Sequence, residues 1–218
     1  MAMVFEDRID AGRQLAQRLA GYAGGQDLLV LALPRGGVPV AYEVAEALGA
    51  PMDVFLVRKL GVPGREEYAM GAIATGGVRV INESVLRQMN VSEQSLAAVA
   101  AREQRELERR ESLYRGDEPE PDMRGRTVIL VDDGLATGAT MRAAVLAVKV
   151  KSPRKVVAAV PTGTAEACRV LAAHADEVVC MDTPVQFGGV GAWYRDFSQT
   201  SDQEVLELLG RAKRRMAA

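Results

Sequence analysis

The sequence predicts an α/β fold, a doubly wound parallel sheet with strand order 2-1-3-4-5. Three observations predict it. Five short apolar runs, at 27–33, 52–57, 127–132, 155–160 and 176–181, are separated mostly by segments of helical periodicity, the pattern of strand-helix-strand units with right-handed crossovers. Thr127–Val131 is β-branched or aliphatic throughout, as a central parallel strand buried on both faces requires. Two of the runs end in glycine-rich turns, at 34–37 and 134–138. The order 2-1-3-4-5 brings those turns to one crevice at the switch point of the sheet.

Each element has its own local signal. An amphipathic helix of roughly residues 7–20, bearing Leu15 and Leu19, precedes the first strand. After the PRGG turn, Ala41, Val44, Ala45 and Leu48 mark a helix with Pro39 near its first turn. The strand at 52–57 runs into Arg58 and Lys59, and residues 60–68, holding Gly61, Pro63 and Gly64, read as a mobile segment. Residues 71–82 read as a hairpin turning at Gly76 and Gly77. Residues 92–113 form a long helix whose Arg102, Glu106 and Arg110 lie four apart, a solvated or interface helix. Residues 115–126 connect it to the strand at 127–132, and Met141, Ala144, Val145 and Val148 give the next helix. Thr164, Ala167, Cys168 and Leu171 repeat that spacing, and Ser201 with Glu204 forms a capping box for a last helix to about residue 214.

The chemistry concentrates in residues 128–140, VILVDDGLATGAT. Asp132 and Asp133 fall at the carboxyl end of a buried strand, and the turn from Gly134 to Gly138 opens a helix. Free backbone N–H groups and the positive end of the helix dipole converge there, a nest for a phosphate monoester with Thr137 and Thr140 as further donors. Two carboxylates one step upstream can accept hydrogen bonds from vicinal hydroxyls. Together these features read as a ribose 5-phosphate site. In the PRGG turn, Gly36 and Gly37 permit close backbone approach and Arg35 offers a bidentate fork to phosphate oxygens. No Walker-type loop occurs in the chain.

This string resembles the diphosphosugar-binding motif of the type I phosphoribosyltransferases. PRGGVPVA, VRKLGVP, MGAIA and WYRDF extend the resemblance along the chain to a group of bacterial phosphoribosyltransferases known from sequence. The resemblance implies one domain over residues 1–218, with a lid and hairpin-helix insertion at about 60–126 and a C-terminal hood at about 182–200 plus the flanking terminal helices. It implies a transferase, a glycosyltransferase of nucleotide and nucleoside metabolism. Such an enzyme moves the 5-phosphoribosyl group from phosphoribosyl pyrophosphate to a nitrogenous base and releases pyrophosphate. By that resemblance Asp132 and Asp133 hold the ribose hydroxyls, and Arg35, Arg58 and Lys59 neutralise the diphosphate, with Gly36 and Gly37 in the diphosphate loop. Gly134, Leu135, Ala136, Thr137, Gly138, Ala139 and Thr140 cradle the 5-phosphate, and residues 60–69 close as a lid. Mg²⁺ is the implied cofactor, bound mainly through substrate oxygens near Asp132 and Asp133 and not by a protein cage. Enzymes acting on 6-oxopurines carry an aspartate where Ala136 stands, which counts against hypoxanthine or guanine as acceptor. Some transcriptional regulators share this fold, so the alternative is a non-catalytic regulator that binds phosphoribosyl pyrophosphate or a nucleotide. Arg58, Lys59 and the lid favour catalysis.

Between the fifth strand and the last helix, residues 183–202 hold Phe187, Trp193, Tyr194 and Phe197, four of the ten aromatic residues. They read either as a hood on which a planar base stacks, through Phe187, Trp193 and Tyr194, or as a satellite core anchoring the terminal helix. Composition agrees with a small-molecule enzyme. The 218 residues are 48% apolar, enough for a sizeable core, and a net charge of −2 implies no nucleic-acid partner. Cys168 and Cys180 have no metal spacing and read as reduced thiols of a cytoplasmic protein, and no apolar run approaches membrane-spanning length. His174 reads as structural. The acceptor base is open, as is whether the protein is a homo-oligomer.

Overall fold

The computed structural model describes residues 4–217, so residues 1–3 and 218 of the expected domain lie outside the described residues. A five-stranded sheet forms the centre, built from β1 (Leu28–Ala32), β2 (Met52–Val54), β6 (Thr127–Val131), β7 (Lys155–Thr162) and β8 (Glu177–Asp182) in the order β2-β1-β6-β7-β8. Every pairing in it is parallel. Counting only these core strands, the order is the expected 2-1-3-4-5.

Burial on both faces explains the unbroken apolar runs. Val30, Ala32, Ile129 and Val131 point into one layer, with α1 (Arg8–Arg18), α2 (Gly37–Leu48) and α7 (Asp202–Ala217). Their neighbours Leu29, Leu31, Val128 and Leu130 point into the other, with α5 (Ala139–Val150) and α6 (Ala165–Ala172). The last helix begins as the capping box predicts, with the Glu204 N–H donating to Ser201 Oγ at 3.1 Å.

The segment after β2 departs from the sequence reading. The expected strand 52–57 divides, because Phe55 and Leu56 are buried and carry the chain out of the parallel sheet. Leu56 N–H donates to Thr75 Oγ1 at 2.9 Å, anchoring the crossing. A second, antiparallel sheet follows, in the order β3-β4-β5: β3 (Val57–Val62), β4 (Arg65–Ala74) and β5 (Val78–Ile81). Residues 60–69, expected as a mobile lid, are therefore mostly paired strand, with the turn at Pro63 and Gly64 as their unpaired tip. The physical reason is burial: Leu60, Val62 and Met70 pack against the first apolar layer, which pins both strands. The hairpin at Gly76 and Gly77 forms as expected between β4 and β5. A short α3 (Glu83–Gln88), unforeseen from sequence, leads into α4 (Glu93–Arg115), which Ser92 caps. On α4, Arg109 and Arg110 both bind Glu106, whereas Arg102 turns to its neighbour Glu103.

Candidate active site

At the carboxyl end of β6 the chain turns out of the sheet and sets two carboxylates side by side. Asp132 Oδ1 accepts the Asp133 N–H at 2.9 Å, and Asp133 Oδ2 accepts Arg8 Nε at 2.9 Å. Asp132 Oδ2 and Asp133 Oδ1 have no donor among the described residues. The site thus presents one unpaired oxygen from each acid. Burial, reinforced by the adjacent Asp133 charge, pushes the Asp132 carboxyl well above the usual carboxylate range. Burial also raises Asp133, and the Arg8 guanidinium opposes that rise.

The PRGG loop meets these acids, as the predicted switch point requires. A Cβ on Gly36 would lie 2.0 Å from Asp133 Oδ2, and one on Gly37 would lie 2.7 Å from the Val131 carbonyl oxygen. Only glycine lets the two loops touch. Arg35, by contrast, is directed at Asp202 at the start of α7, 3.7 Å away.

The turn before α5 leaves several amides unpaired where the sequence leads one to expect a nest. Gly138 caps the helix at φ 70°, a left-handed conformation costly for any residue with a Cβ. The N–H groups of Thr137, Gly138 and Thr140 have no acceptor among the described residues, and Ala136, Thr137, Ala139 and Thr140 are exposed. Leu135 corrects the expectation. Its side chain is buried, its N–H donates to Thr162 O at 2.9 Å, and its carbonyl accepts Thr164 N–H at 3.0 Å, so it fixes the loop and leaves nothing for a ligand. Gly134 faces Val190, since a Cβ there would stand 2.6 Å from Val190 Cγ1.

Arg58 and Lys59, expected to act together, are separated by the strand they occupy. Successive side chains of a strand point to opposite faces. Arg58 Nε and Nη2 donate to Glu103 Oε2 on α4 at 2.9 and 2.6 Å. Lys59 lines a cavity of about 620 Å³ on the other side, whose wall includes Thr137, Thr140, Arg142 and His174. Only Lys59 shares a space with the phosphate nest. Arg142 and His174 were not foreseen there.

The aromatic segment resolves toward the satellite core. Trp193 is 9% exposed and Tyr194 6%, and both pack with Phe5 and Ala11, with Phe187 half-buried beside them. Trp193 Nε1 donates to Phe187 O at 2.8 Å, and Tyr194 lies between Phe5 and Phe197 with ring centroids 5.4 and 5.1 Å away. Trp193 and Tyr194 therefore offer no open face for stacking a base. Tyr194 instead reaches the acids with its hydroxyl, donating to the Asp133 carbonyl at 2.6 Å.

Sequence reasoning missed Arg8, Glu103 and Asp202. Their partners lie far along the chain, 125 residues in the case of Arg8 and Asp133, so no spacing could reveal them. Among the described residues no cluster of three His, Cys, Asp or Glu side chains could hold a metal ion, and no helix is long and apolar enough to cross a membrane.

A parallel sheet with two adjacent acids and a turn of unpaired amides at its carboxyl edge defines the class: α/β proteins with a crevice at the switch point of the sheet. Residues 5–195 match the family described as phosphoribosyl transferase domain, and the chain belongs to that family. Two Mycobacterium tuberculosis proteins, from strains CDC 1551 / Oshkosh and ATCC 25618 / H37Rv, carry the provisional name phosphoribosyl transferase. Both are 50% identical over 214 residues, 98% of this chain and 48% of theirs. The chain thus spans about half the length of the curated relatives it matches. The crystal structure of TT1426 from Thermus thermophilus is similar throughout, with TM-score 0.86, 47% identity, and coverage of 95% of this chain and 98% of that one.

Proposed function

We propose that the protein transfers the 5-phosphoribosyl group of phosphoribosyl pyrophosphate to a nitrogenous base, releasing pyrophosphate. The observation that carries this reading is the pair of unpaired oxygens, Asp132 Oδ2 and Asp133 Oδ1, set beside the unpaired amides of Thr137, Gly138 and Thr140. A vicinal diol can donate one hydrogen bond to each acid while the 5-phosphate accepts from the nest. Held at both ends, the sugar needs little further ordering to reach an oxocarbenium-like transition state, and the two carboxylates stabilise the positive charge that develops on it.

Leaving-group charge falls to Lys59, whose ammonium shares the cavity with the nest, and to Arg35 of the PRGG loop, which without a ligand pairs with Asp202. Arg58 supports the sheet that carries Lys59. Hard carboxylate oxygens, half-buried and with one small gap in their hydrogen bonding each, fit Mg²⁺ delivered with a diphosphate, held mainly by substrate oxygens beside Asp132 and Asp133. When bound, Mg²⁺ supplies neutralisation of the departing pyrophosphate. The acceptor is a base, and the 620 Å³ cavity against the nest, apolar with a few polar groups, suits a planar ring better than the closed aromatic cluster does.

The test is incubation of the protein with Mg²⁺ and phosphoribosyl pyrophosphate against a panel of bases, reading pyrophosphate and new nucleotides by mass spectrometry. A nucleotide product that disappears in Asp132→Asn is expected. Tight donor binding without product for any base would instead establish the regulator reading.

A further inference from the structure

Arg8 is held in a way that a surface ion pair does not need. It opens α1, yet its guanidinium reaches the floor of the site, where Nε donates to Asp133 Oδ2 at 2.9 Å and Nη1 donates to the Ser198 carbonyl at 2.7 Å. Its Cζ lies 4.0 Å from the centroid of the Phe197 ring, a cation-π contact that fixes the plane of the fork. Its side chain is 11% exposed and that of Asp133 15%. The groups around Asp133 are thus Asp132 on the same turn, Arg8 from α1, the Tyr194 hydroxyl on its carbonyl, and Gly36 without a side chain.

Each of these contacts restricts the carboxylate. Gly36 walls Oδ2 so closely that a methyl group would collide with it at 2.0 Å. Arg8 donates to the same oxygen. A carboxylate is planar, so fixing Oδ2 fixes where Oδ1 points, and Oδ1 is the oxygen left for a ligand. Arg8 also ties the 197–198 segment to the floor, so one side chain couples that segment to the orientation of the acid.

We propose that Arg8 is a positioning residue that sets Asp133 Oδ1 to read one hydroxyl of the ribose diol, and so makes the site selective for ribose over deoxyribose phosphates. This inference rests on the donor reading given above. It is independent of turnover, because it concerns how the sugar is held.

Calorimetric titration with ribose 5-phosphate and with 2-deoxyribose 5-phosphate, each into the wild type, Arg8→Ala and Arg8→Lys, tests it. The wild type is expected to prefer ribose 5-phosphate roughly tenfold, the scale of one charge-assisted hydrogen bond. Arg8→Ala should bind both sugars with the affinity the wild type shows for the deoxy compound. Arg8→Lys keeps the cation but lacks the second arm to Ser198, and should show an intermediate preference, which also serves if Arg8→Ala does not fold. A full ribose preference in Arg8→Lys and in any folded Arg8→Ala overturns the inference while leaving the donor reading intact. Equal loss of both sugars in the variants also overturns it, since that marks a collapsed nest. A wild type that binds both alike overturns the inference, and one that binds neither sugar defeats the donor reading itself.

Discussion

At position 36 the chain has no room for a methyl group, and that single restriction organises the floor of the site. A Cβ there would sit 2.0 Å from Asp133 Oδ2 and 3.3 Å from Arg8 Nε. In Gly36→Ala the carboxylate must rotate away from Arg8, because the atoms the new methyl group meets are the end of the Asp133 side chain. The expected outcome is a loss of about 1–3 kcal/mol of stability, the usual cost of overpacking, with ribose 5-phosphate binding lost as well. Urea denaturation and calorimetry check the two arms, and binding at wild-type strength would show that the floor tolerates the shift. Residue-scale legibility divides along the same line. Gly36, Gly37, Gly138 and the two aspartates stand out in the sequence because their chemistry is local. Arg8 does not, because its role comes from a residue 125 positions away. Leu135 sits inside the motif yet serves the neighbouring strand, which sequence position alone does not disclose.

At the scale of elements, the pleat of β3 separates two cations that adjacency in sequence had joined. The apolar run before Arg58 suggests a strand end, where both side chains could face one ligand. In fact Arg58 and Lys59 lie inside a strand of the second sheet, paired with Ile73 and Ala72. Their substitution should therefore give different phenotypes. Lys59→Ala is expected to weaken pyrophosphate binding while changing stability by no more than about 0.5 kcal/mol, as surface changes do. Arg58→Ala removes both bonds to buried Glu103 and should cost about 1–2 kcal/mol of stability, with pyrophosphate binding kept in the folded fraction. Parallel calorimetry and denaturation separate the two, and matching phenotypes would contradict the assignment of faces. The contact between α4 and α7 gives a pH signature. Tyr114 is buried and donates its hydroxyl to Asp202, which together push its phenol up to about 12. An unfolded tyrosine ionises near pH 10. As pH rises past about 10 the unfolded chain loses that proton first, so the stability this phenol contributes is present below about pH 10 and is lost as pH climbs through about 12. Tyr114→Phe should lack that component, read as a shallower fall in melting temperature between about pH 9.5 and about 12; an unchanged slope would count against the burial of this bond.

For the whole molecule, the sheet order and both helical layers were legible because they follow from patterning: unbroken apolar strands, helices with one apolar stripe, and turns at the ends that share a crevice. The second sheet was only half legible. Its hairpin at Gly76 and Gly77 announces itself through turn chemistry, whereas β3 is hidden by Gly61, Pro63 and Gly64, residues that usually mark loops and that here surround the tip of a pinned hairpin. The aromatic segment was ambiguous for another reason, since a cluster of aromatics satisfies a stacking surface and a small core equally until its neighbours are known. Phe5 decides the matter by filling the cluster from a segment remote in sequence. Phe5→Ala should cost about 3–5 kcal/mol, typical for a buried aromatic. Sugar phosphate binding should also vanish at a lower temperature than the parallel sheet melts, with hydrogen exchange rising first at residues 5–8 and 190–198. Uniform exchange throughout would mean that the cluster and the sheet unfold as one unit.

The pairing of Phe5 with Tyr194, continued by hydrogen bonds from Arg195 to Phe5 and from Asp196 to Glu6, has a consequence for biosynthesis. A ribosome making this chain releases both aspartates and the turn that follows them well ahead of the segment that buttresses them, since Tyr194 follows Asp133 by 61 residues. During that interval a nascent chain can own a formed sheet yet have an unbraced Asp133, with Arg8 waiting for its carbonyl partner. Competence to hold a sugar should thus emerge abruptly, once residues 194–198 leave the exit tunnel and zip against a stretch synthesised long before.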